Sequence, residues 1–510
     1  MSAYTVPFIS SAMVAALGVA WWLLQRSEPN LPPLAPGCLP VIGHLLALTS
    51  KEPLQKLFLK WSQEVGPIFT LKLGVKRWII INDSATVKDL IVSRGTIYSS
   101  RDISSVMTDG IFDGETGGGF AFYEYGKHWR NLRRIAHSGL TKKKIDDYQS
   151  TFEQGARTLS QTLWKDLAED PDVEISLCRY LEDYALLSVL KVAYGDAIYL
   201  KPGDKELQPV FELTAAAATF LGPKEQLLEF FPILKRIFSQ DVPLVKYIHS
   251  KLHSFYGPLF QSLVEKMKND PENVSDCFFK EVADQLTLTQ GIGFSAVFVG
   301  AGSDTTASTL QWIFAVLTNN PDIQQKIFEE IDAVVGRDRL PTADDETNLP
   351  YLQCVILETL RLFAPVPLGV PHATSSEDTY NNFVIPKMAT VIINVHAIHR
   401  DPKRYEEPEK FDPTRHMEYV KGKSAQRFSQ NVDDRPHLAF STGRRACVGI
   451  HLAERSIFMA AAVLVACYRF EGSPDVSRSK ANLATTFAPV PYEVRLIPRH
   501  DAVHQLIQDL

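Results

Sequence analysis

Cysteine is scarce in this chain, with six among 510 residues, and no two of them form a Cys-x-x-Cys pair. So few cysteines in so long a chain argue against a disulfide framework. A formal net charge of −6 gives no reason to expect a nucleic-acid partner. Internal repeats and low-complexity tracts are absent too. What remains is an ordinary globular composition, 45% hydrophobic and 22% charged, with ample length for a large core.

Nucleotide-binding fingerprints are also missing. Gly114, Gly117, Gly118 and Gly119 form a glycine-rich stretch, but it lacks the G-x-G-x-x-G spacing after a strand and any G-K-[ST] sequence. The chain therefore has no recognisable dinucleotide or flavin site of its own. We interpret the glycine-rich stretch as a flexible loop that covers a substrate.

One long hydrophobic run is present, near the amino terminus. Residues 6–24 are uncharged, predominantly apolar and about long enough to span a bilayer, with Trp21 and Trp22 where an interfacial aromatic belt would lie. No positive charge precedes the run and Arg26 follows it. We therefore predict a retained anchor over residues 1–28 with the rest of the chain in the cytoplasm; a cleaved signal peptide is the alternative.

The remainder is predicted to form one large domain, mainly α with a small β portion. Residues 29–45 are rich in proline, which predicts a stiff extended connector without the backbone hydrogen bonds of a helix or a β-sheet. The domain is predicted to occupy residues 46–510. Residues 400–440 show little periodicity and predict a long irregular segment. Helices are predicted over residues 145–168, 178–194, 246–268, 284–318 and 350–363, and strands over 68–73, 78–81 and 485–497, the first two joined by a turn at Gly74.

The strongest functional signal is the pattern F-x-x-G-x-R-x-C-x-G, formed by Phe440, Gly443, Arg445, Cys447 and Gly449 just before an apolar helix. A cysteine at a helix start receives backbone N–H groups and the positive end of the dipole, which predicts a lowered thiol pKa. The glycines let the backbone pass close to a bulky flat ligand. The arginine offers a fork for a carboxylate, and the phenylalanine shields the sulfur from water.

This pattern resembles the haem-binding segment of the cytochrome P-450 family of haem-thiolate monooxygenases, and the details of the carboxyl-terminal third are most similar to fungal microsomal members. The resemblance implies that the cofactor is haem b (iron protoporphyrin IX). It implies that Cys447 is the axial ligand of the haem iron, so that the metal site is a haem iron site. It also implies a single-pass protein of the endoplasmic reticulum membrane.

Ala301-Gly302-Ser303-Asp304-Thr305-Thr306 matches a second family segment, in the long predicted helix. Helix interiors disfavour glycine and threonine, so Gly302 with a back-bonding threonine is expected to open the helical ladder beside the haem. By resemblance Ala301 lies at the haem, and Asp304 and Thr305 deliver protons for oxygen activation.

Glu358 and Arg361 form an E-x-x-R pair on one helix face in an apolar environment, and Arg415 stands in the downstream P-x-R motif. The resemblance implies that these three residues form a structural charge triad. Two positions depart from the family pattern: His416 replaces the usual aromatic residue, and Met388 stands where a glycine turn is usual. The first departure is expected to affect local packing and to leave the triad intact.

Trp129 and Arg133 are four residues apart on a predicted helix, so that both can donate to one carboxylate. By resemblance these two residues, His372 and Arg445 hold the haem propionates. Apolar and aromatic residues from segments that approach the haem in the family predict a pocket for a lipophilic substrate. These predicted lining residues are Phe112, Phe120, Phe122, Phe294, Val297, Phe298, Ala301, Val366, Leu368, Val370, Phe487 and Val490.

The resulting hypothesis is a monooxygenase that inserts one atom of O₂ into a lipophilic small molecule, in secondary metabolism. Its electrons come from an NADPH–cytochrome reductase at the membrane, which uses NADPH outside this chain. A haem-thiolate enzyme for rearrangement, dehydration or oxidative coupling is one alternative, and a non-catalytic haem sensor or electron carrier is another. The candidate basic docking patch for the reductase, which is otherwise a solvated face, consists of Arg130, Arg134, Lys142, Lys143, Lys144 and Arg444.

Overall fold

The computed structural model describes residues 29–50, 52–170, 172–222, 226–236, 242–423, 429–480 and 486–508. The predicted membrane anchor over residues 1–28 lies outside the described residues. The described part is mostly helical with a small β portion, as the sequence predicts. Its α-helices of ten or more residues, labelled α1 to α10 in chain order, are Leu54–Val65, Lys127–Gly139, Gln149–Glu169, Leu177–Tyr194, Gln208–Thr219, Pro243–Asn269, Leu288–Asn319, Pro321–Val335, Pro350–Leu362 and Ile450–Cys467.

The predicted helices agree with the structure except at one point. The helix predicted over residues 145–168 is two elements, a short helix Lys142–Asp147 followed by α3. Thr141 begins the short helix, because its side chain accepts a hydrogen bond from the Lys144 N–H. Tyr148 then leaves helical geometry with ψ near 12°. The apolar periodicity runs through this break, which is why the sequence pattern did not reveal it.

The strands of the described residues, labelled β1 to β11 in chain order, are Ile68–Leu73, Lys76–Ile81, Glu174–Ile175, His372–Ala373, Asp378–Tyr380, Phe383–Ile385, Thr390–Ile393, Tyr468–Glu471, Ser479–Lys480, Ala488–Pro489 and Val494–Pro498. They form four small sheets. The largest sheet has the order β1-β2-β7-β4, with β2 and β7 parallel. The turn between β1 and β2 requires a glycine, since Gly74 has a φ of +55° and a Cβ there would lie 2.0 Å from the Phe230 carbonyl oxygen.

The strand predicted over residues 485–497 is interrupted. Its described part consists of β10, two residues long and paired with β9, and β11, which lies between β3 and β8. Pro491 lies between the two strands, and a proline has no N–H for a ladder bond. The Phe487 carbonyl oxygen accepts hydrogen bonds from Ser308 Oγ and Trp312 Nε1, at 2.7 and 2.9 Å, and so fixes this segment to α7.

The proline-rich segment 29–45 is bonded to the large sheet, contrary to the expectation of a connector without ladder bonds. Leu34 forms a parallel bridge with Thr70 of β1. The Ala35 N–H donates to the Thr70 carbonyl at 3.1 Å, and the Thr70 N–H donates to the Pro33 carbonyl at 2.8 Å. Prolines tolerate such an edge position because Pro33 supplies only its carbonyl oxygen.

The core is built around α7, which packs along α4 and against α10 and α6. Gly302 of α7 allows the close approach to α4, since a Cβ there would lie 3.2 Å from both methyl groups of Val189. Within the described residues one helix, α10, is long and apolar enough to cross a membrane, and 78% of that stretch is buried inside the protein. Burial in the core accounts for its apolar sequence.

Candidate active site

Cys447 lies in an irregular loop just before α10. Its backbone N–H donates to the Phe440 carbonyl at 2.9 Å, which closes the loop. Gly443 has a φ of +66°, and a Cβ there would lie 2.8 Å from the Ile91 carbonyl oxygen. That glycine therefore accommodates a neighbouring segment of backbone rather than a ligand. Around Gly449 a Cβ would meet nothing described within 4 Å, and this residue lines a cavity.

The pKa of the Cys447 thiol is raised, contrary to the expectation from its position before a helix. The Cys447 side chain is exposed towards the cavity that it lines, yet it lies deep among protein atoms, and the resulting desolvation raises its pKa. The Gly449 N–H and the positive charge of Arg133 lower the pKa by less. The helix-start argument included the backbone N–H groups and omitted desolvation. Coordination to a metal ion deprotonates a thiol outright, so a raised pKa of the free thiol is compatible with a ligand role.

A mainly apolar cavity of about 280 Å³ lies between α7 and the Cys447 loop. Cys447, Phe440 and Gly449 line it from the loop, and Ala301 and Thr305 line it from α7. The predicted lining residues that reach this cavity are Phe120, Val297, Phe298, Ala301, Val366 and Val370.

The other predicted lining residues pack elsewhere. Phe112 and Phe122 pack on each other with ring centroids 5.2 Å apart, and Phe294 packs on Phe120 at 4.7 Å. Leu368 belongs to a separate core cluster with the large sheet, and Phe487 packs on Trp312. Val490 does not line the cavity. Aromatic and apolar residues next to a pocket carry the same sequence signal as those that line it, so the pattern could not separate the two groups.

The glycine-rich stretch is tightly packed and is not a flexible loop. A Cβ on Gly117 would lie 1.6 Å from the Phe112 carbonyl oxygen. A Cβ on Gly118 would lie 2.0 Å from the Gln290 carbonyl oxygen in α7. These glycines serve close approach between backbones, which places Phe120 at the cavity.

Three arginines, Arg101, Arg133 and Arg445, line the same cavity. None of them forms an ion pair with a carboxylate in the described part of the chain. Burial, helped by repulsion from Arg133, lowers the pKa of Arg101 to about 9. Burial and repulsion from both other arginines lower the pKa of Arg445 to about 8. Such a cluster is suited to a ligand that brings two negative charges.

The expected haem fits these residues. Arg101 Nε and Arg445 Nη1 are buried without a hydrogen-bond partner among the described residues, and both arginines line the cavity. The other nitrogens of Arg445 donate to the carbonyls of Ser99 and Tyr123, which fixes the guanidinium in place. Two propionates would satisfy the unpartnered N–H groups and offset the charge, while the apolar walls match the macrocycle.

Arg101 was not found by the sequence reasoning. It follows two serines in a segment without a distinctive motif, and only the fold brings it to the cavity. No sequence signal identifies it; the structure does, because Arg101 is 7% exposed and a buried arginine requires partners.

The remaining predicted propionate residues also lie at the cavity. Trp129 lies under the Arg445 guanidinium, 4.1 Å from the ring centroid, and Arg133 donates to the Ala446 carbonyl. His372 Nδ1 donates to the Tyr98 carbonyl at 2.7 Å, so that a neutral ring presents Nε2 as an acceptor. Burial, with the charges of Arg101 and Arg445, lowers the pKa of His372 well below its usual value. His372 therefore donates to a propionate only if binding also protonates it.

Helix α7 carries the acid and the alcohol without a break in its ladder. Thr305 Oγ1 bonds back to the Ala301 carbonyl at 2.8 Å, as expected, but the helix is α-helical throughout and Gly302 does not open it. Asp304 is turned from the cavity and accepts a hydrogen bond from Thr486. Burial raises the pKa of Asp304. Thr306 Oγ1 is buried at the cavity without a partner among the described residues.

The Glu358 carboxylate is the centre of a buried charge network. Arg361 donates to both of its oxygens at 2.8 Å, and Arg415 Nε donates at 3.1 Å. His416 Nε2 donates at 2.8 Å, and the Asp412 N–H at 2.9 Å. Burial alone would raise the pKa of Glu358, but these partners outweigh it and lower the pKa to about 2.

The two departures from the family pattern are therefore accommodated differently. His416 joins the triad as a fourth partner, so that its role is a hydrogen bond and not packing alone. Burial lowers its pKa, which makes it a neutral donor. Met388 adopts a φ of +61°, so the turn keeps the left-handed geometry that is typical of glycine. This geometry is strained for methionine because its Cβ approaches the following carbonyl oxygen.

Comparisons with known proteins identify the family of this chain. A family model described as cytochrome P450 matches residues 32–496. Cytochrome P450 monooxygenase 69 of Postia placenta is 30% identical over 98% of this chain and 94% of its own length. Cytochrome P450 monooxygenase verL of Clonostachys rogersoniana is 30% identical over 92% of this chain and 86% of its own. Isoflavone 3'-hydroxylase of Medicago truncatula is 28% identical over 91% of each.

A solved structure, a zebra fish cytochrome P450 with progesterone, superposes with a TM-score of 0.72. It covers 88% of this chain and the whole of the other, at 24% identity, which establishes the shared fold. The match of the family model over nearly the whole chain includes Cys447, α7 and the Glu358 network. The chain is thus a member of the cytochrome P450 family, a haem-dependent monooxygenase.

Proposed function

We propose that this protein inserts one oxygen atom of O₂ into a lipophilic small molecule of secondary metabolism. The observation that carries the proposal is that Cys447, Thr305 and three arginines, two of them buried, line one mainly apolar cavity. Apolar walls with few polar groups favour a lipophilic substrate. Fungal monooxygenases among the similar proteins support a role in secondary metabolism.

Haem b is the cofactor that these residues would hold. Cys447 would supply the thiolate ligand, while Arg101, Arg133, Arg445 and Trp129 would bind the propionates. When bound, a thiolate-ligated haem supplies the activation of dioxygen, and its electronic push favours O–O cleavage. The protein's own part is to bind and orient the substrate, exclude water and supply protons.

Proton supply is assigned to Asp304 and Thr305. Desolvation raises the pKa of the partly buried Asp304, which favours the protonated form of this carboxyl group, and Thr486 donates a hydrogen bond to it. Rotation of the side chain about Cα–Cβ brings the acid from Thr486 towards the cavity, where the Thr305 hydroxyl can pass the proton on. The Thr305 hydroxyl itself is held by the Ala301 carbonyl.

Replacement of Thr486 by valine tests this proton route. The Thr486 hydrogen bond lowers the Asp304 pKa, so its loss raises that pKa further. Activity that needs protonated Asp304 declines as pH rises above the pKa, and in T486V this decline should move to higher pH. An unchanged pH profile of turnover, measured at saturating substrate, would contradict the role of Asp304.

The alternative is rearrangement, dehydration or oxidative coupling, which can dispense with proton delivery. Thr305→Ala distinguishes the two. A monooxygenase should lose coupling, with less product formed for each NADPH consumed, whereas an enzyme of the alternative class should keep its product yield. If the protein is a non-catalytic sensor or electron carrier, neither the wild type nor the Thr305→Ala variant should form product.

Electrons are proposed to come from an NADPH–cytochrome reductase, with the domain on the cytoplasmic face of the endoplasmic reticulum membrane. Arg130, Arg134, Lys142, Lys143 and Arg444 are exposed, and Lys142 lines a second cavity that also reaches Cys447. The exposed charges, and the position of Lys142 at a cavity that reaches Cys447, support a docking surface. Lys144 adds little to it, because Glu281 binds its ammonium at 2.8 Å.

The direct test begins with an absorption spectrum of the reduced, carbon monoxide-bound protein. A thiolate-ligated haem gives a strongly red-shifted Soret band and a histidine-ligated haem does not, so the unshifted band would refute the assignment of Cys447. Substrate-induced changes in the spin state of the haem iron then identify ligands.

Flat polycyclic molecules are a suitable first panel of candidate substrates, since similar proteins are named for an isoflavone or solved with a steroid. Metabolite profiles with and without the protein identify the product.

A further inference from the structure

A cluster of metal-ligating side chains lies outside the haem site, between the loop that leads into the glycine-rich stretch and α6. It consists of Asp113, His249 and His253, whose ligand atoms all lie within 4.8 Å of one another. The Asp113 Oδ1 lies 2.9 Å from His249 Nε2, and its Oδ2 lies 3.2 Å from His253 Nε2. We propose that these three side chains bind a divalent transition-metal ion, with Zn²⁺ as the ion that best suits the donors.

The fold prepares the two histidines. They are four residues apart on α6, so their side chains lie on one face of the helix, one turn apart. Their ring centroids are 4.1 Å apart, and both rings direct Nε2 at the same carboxylate. Two histidine nitrogens and one carboxylate oxygen are a common protein ligand set for zinc that keeps a position for water.

The ligand atoms can meet at one metal ion after a modest rearrangement of the side chains. Zinc–ligand bonds of about 2.0–2.1 Å place the ligand atoms of a tetrahedral site about 3.3 Å apart. In the structure the ligand atoms lie within 4.8 Å of one another, and the two histidines contact different oxygens of the Asp113 carboxylate, at 2.9 and 3.2 Å. A bound ion would take the place of both hydrogen bonds and draw the two nitrogens and one carboxylate oxygen to a common position.

The third ligand is held in place by its backbone. Asp113 has a φ of +58° and precedes a turn at Gly114–Thr116, so its carboxylate is displayed from a tight loop. Gly110 brings the same loop against α6, since a Cβ there would lie 2.7 Å from Val245 Cγ1. The side chains of the three ligands are between 23% and 34% exposed, which leaves them open to an ion from solution.

The ion would tie this loop to α6. The loop continues through the glycine-rich stretch to Phe120 and Ala121, which line the active-site cavity. Zinc can bind only while the loop is packed on α6, because separation of the two breaks the site. Zinc at 100 times its Kd should therefore reduce the fraction of molecules with the loop separated from α6 about 100-fold. The inference concerns a site distinct from the haem and does not depend on the proposed reaction.

The test is zinc binding to the full-length, haem-loaded protein after removal of any histidine tag and treatment with a chelator. Calorimetry and metal analysis after gel filtration give the affinity and the number of ions. The variants are Asp113→Asn, which tolerates the left-handed backbone, and His253→Gln, which keeps a hydrogen-bonding side chain. His504→Gln, at a histidine that packs on Trp164 outside the cluster, is the matched control.

We expect one zinc ion per chain in the wild type and in H504Q, with Kd raised at least about tenfold in D113N and H253Q. Unfolding midpoints and the carbon monoxide spectrum show whether each variant is folded. Equal zinc affinity in all four proteins, or no binding at about 100 µM zinc, would overturn the proposal. Hydrogen exchange should slow in residues 109–123 when zinc is added to the wild type. Protection confined to another segment would also overturn it.

Discussion

Arg101 illustrates how a single residue can act in opposite directions on the two forms of the protein. It is buried beside Arg133 and Arg445, and its Nε has no partner among the described residues. A buried charge that lacks a counter-charge destabilises the chain, whereas a propionate would turn the same charge into a strong partner. The residue therefore favours cofactor binding at the expense of the haem-free protein.

Arg101→Met should reverse the two effects. Loss of a charge-assisted hydrogen bond of about 1.5–3 kcal/mol should weaken haem binding about ten- to hundredfold. The haem-free variant should unfold at a higher temperature than the haem-free wild type. Haem transfer to apomyoglobin and thermal unfolding of both forms measure these effects. Arg94→Met, which removes a surface ion pair with Asp378, is the control and should leave haem transfer unchanged.

His416 gives a pH-dependent effect from a single hydrogen bond. The folded pKa is lowered from the usual 6.5 by burial. Its contribution to stability is therefore complete above pH 6.5 and is lost as pH falls from 6.5 towards the folded pKa, because the unfolded chain binds the proton first. The Glu358 carboxylate has four other hydrogen bonds, which remain when His416 is removed.

His416→Phe should accordingly destabilise the protein by about 1–3 kcal/mol at pH 7.5, with a smaller difference at pH 5.5. Arg361→Met removes the main partner of the buried carboxylate and should cost more, about 3–5 kcal/mol. Urea unfolding at the two pH values measures both variants. A difference between wild type and H416F that grows on acidification would contradict the neutral-donor role of His416.

At the scale of elements, the glycine-rich stretch and α7 are one packed unit. Gly118 lies directly against the backbone of α7. A Cβ added to Gly118 would lie 2.0 Å from the Gln290 carbonyl oxygen and 2.4 Å from the Phe294 nitrogen. Backbone atoms cannot move aside as a side chain can. The position of Phe120 at the cavity thus depends on the absence of a side chain two residues earlier.

Gly118→Ala should therefore destabilise the protein by about 1–3 kcal/mol and change ligand affinity together with stability. Gly126→Ala is the matched control, because a Cβ there would meet nothing described within 4 Å. Unfolding in urea and binding of an azole to the haem measure the two effects. If G118A is as stable as G126A, the loop is not packed on α7 in solution.

The same element shows what the sequence could and could not predict. The motifs at Cys447, Glu358 and Thr305 could be recognised in the sequence, because each combines particular residue types at a fixed spacing. Helix bounds followed from periodicity to within a few residues. Gly118 was read as flexible because glycine serves both mobility and close packing, and only the position of α7 separates these roles. Arg101 was missed for a similar reason, since it meets its cluster through the fold alone.

At the scale of the whole molecule, the net charge of −6 does not exclude a basic surface patch. Arg130, Arg134, Lys142, Lys143 and Arg444 are exposed, and Lys142 lines a second cavity of about 410 Å³ that reaches Cys447. Exposed charges act at a distance set by ionic strength, with a screening length of about 8 Å at physiological salt. Such a surface can speed the encounter with an acidic partner without contributing to the fold.

Charge reversal of Lys142 and Lys143 to glutamate should slow reduction by the reductase at low salt, and high salt should reduce the difference from wild type. Lys266→Glu with Lys268→Glu, at exposed positions on α6, is the charge-matched control and should reduce normally. Stopped-flow reduction under carbon monoxide measures the rate. Equal rates for the two double variants at low salt would exclude docking at this surface.

The arginine cluster links this protein to the supply of its cofactor in the cell. The charges of Arg101, Arg133 and Arg445 share one cavity, so we expect the newly made chain to be less stable there until an anion neutralises them. Quality control removes partly open chains in proportion to their population. The amount of enzyme should therefore follow porphyrin synthesis as well as gene expression, so that a haem-starved cell accumulates little of this protein even at full transcription.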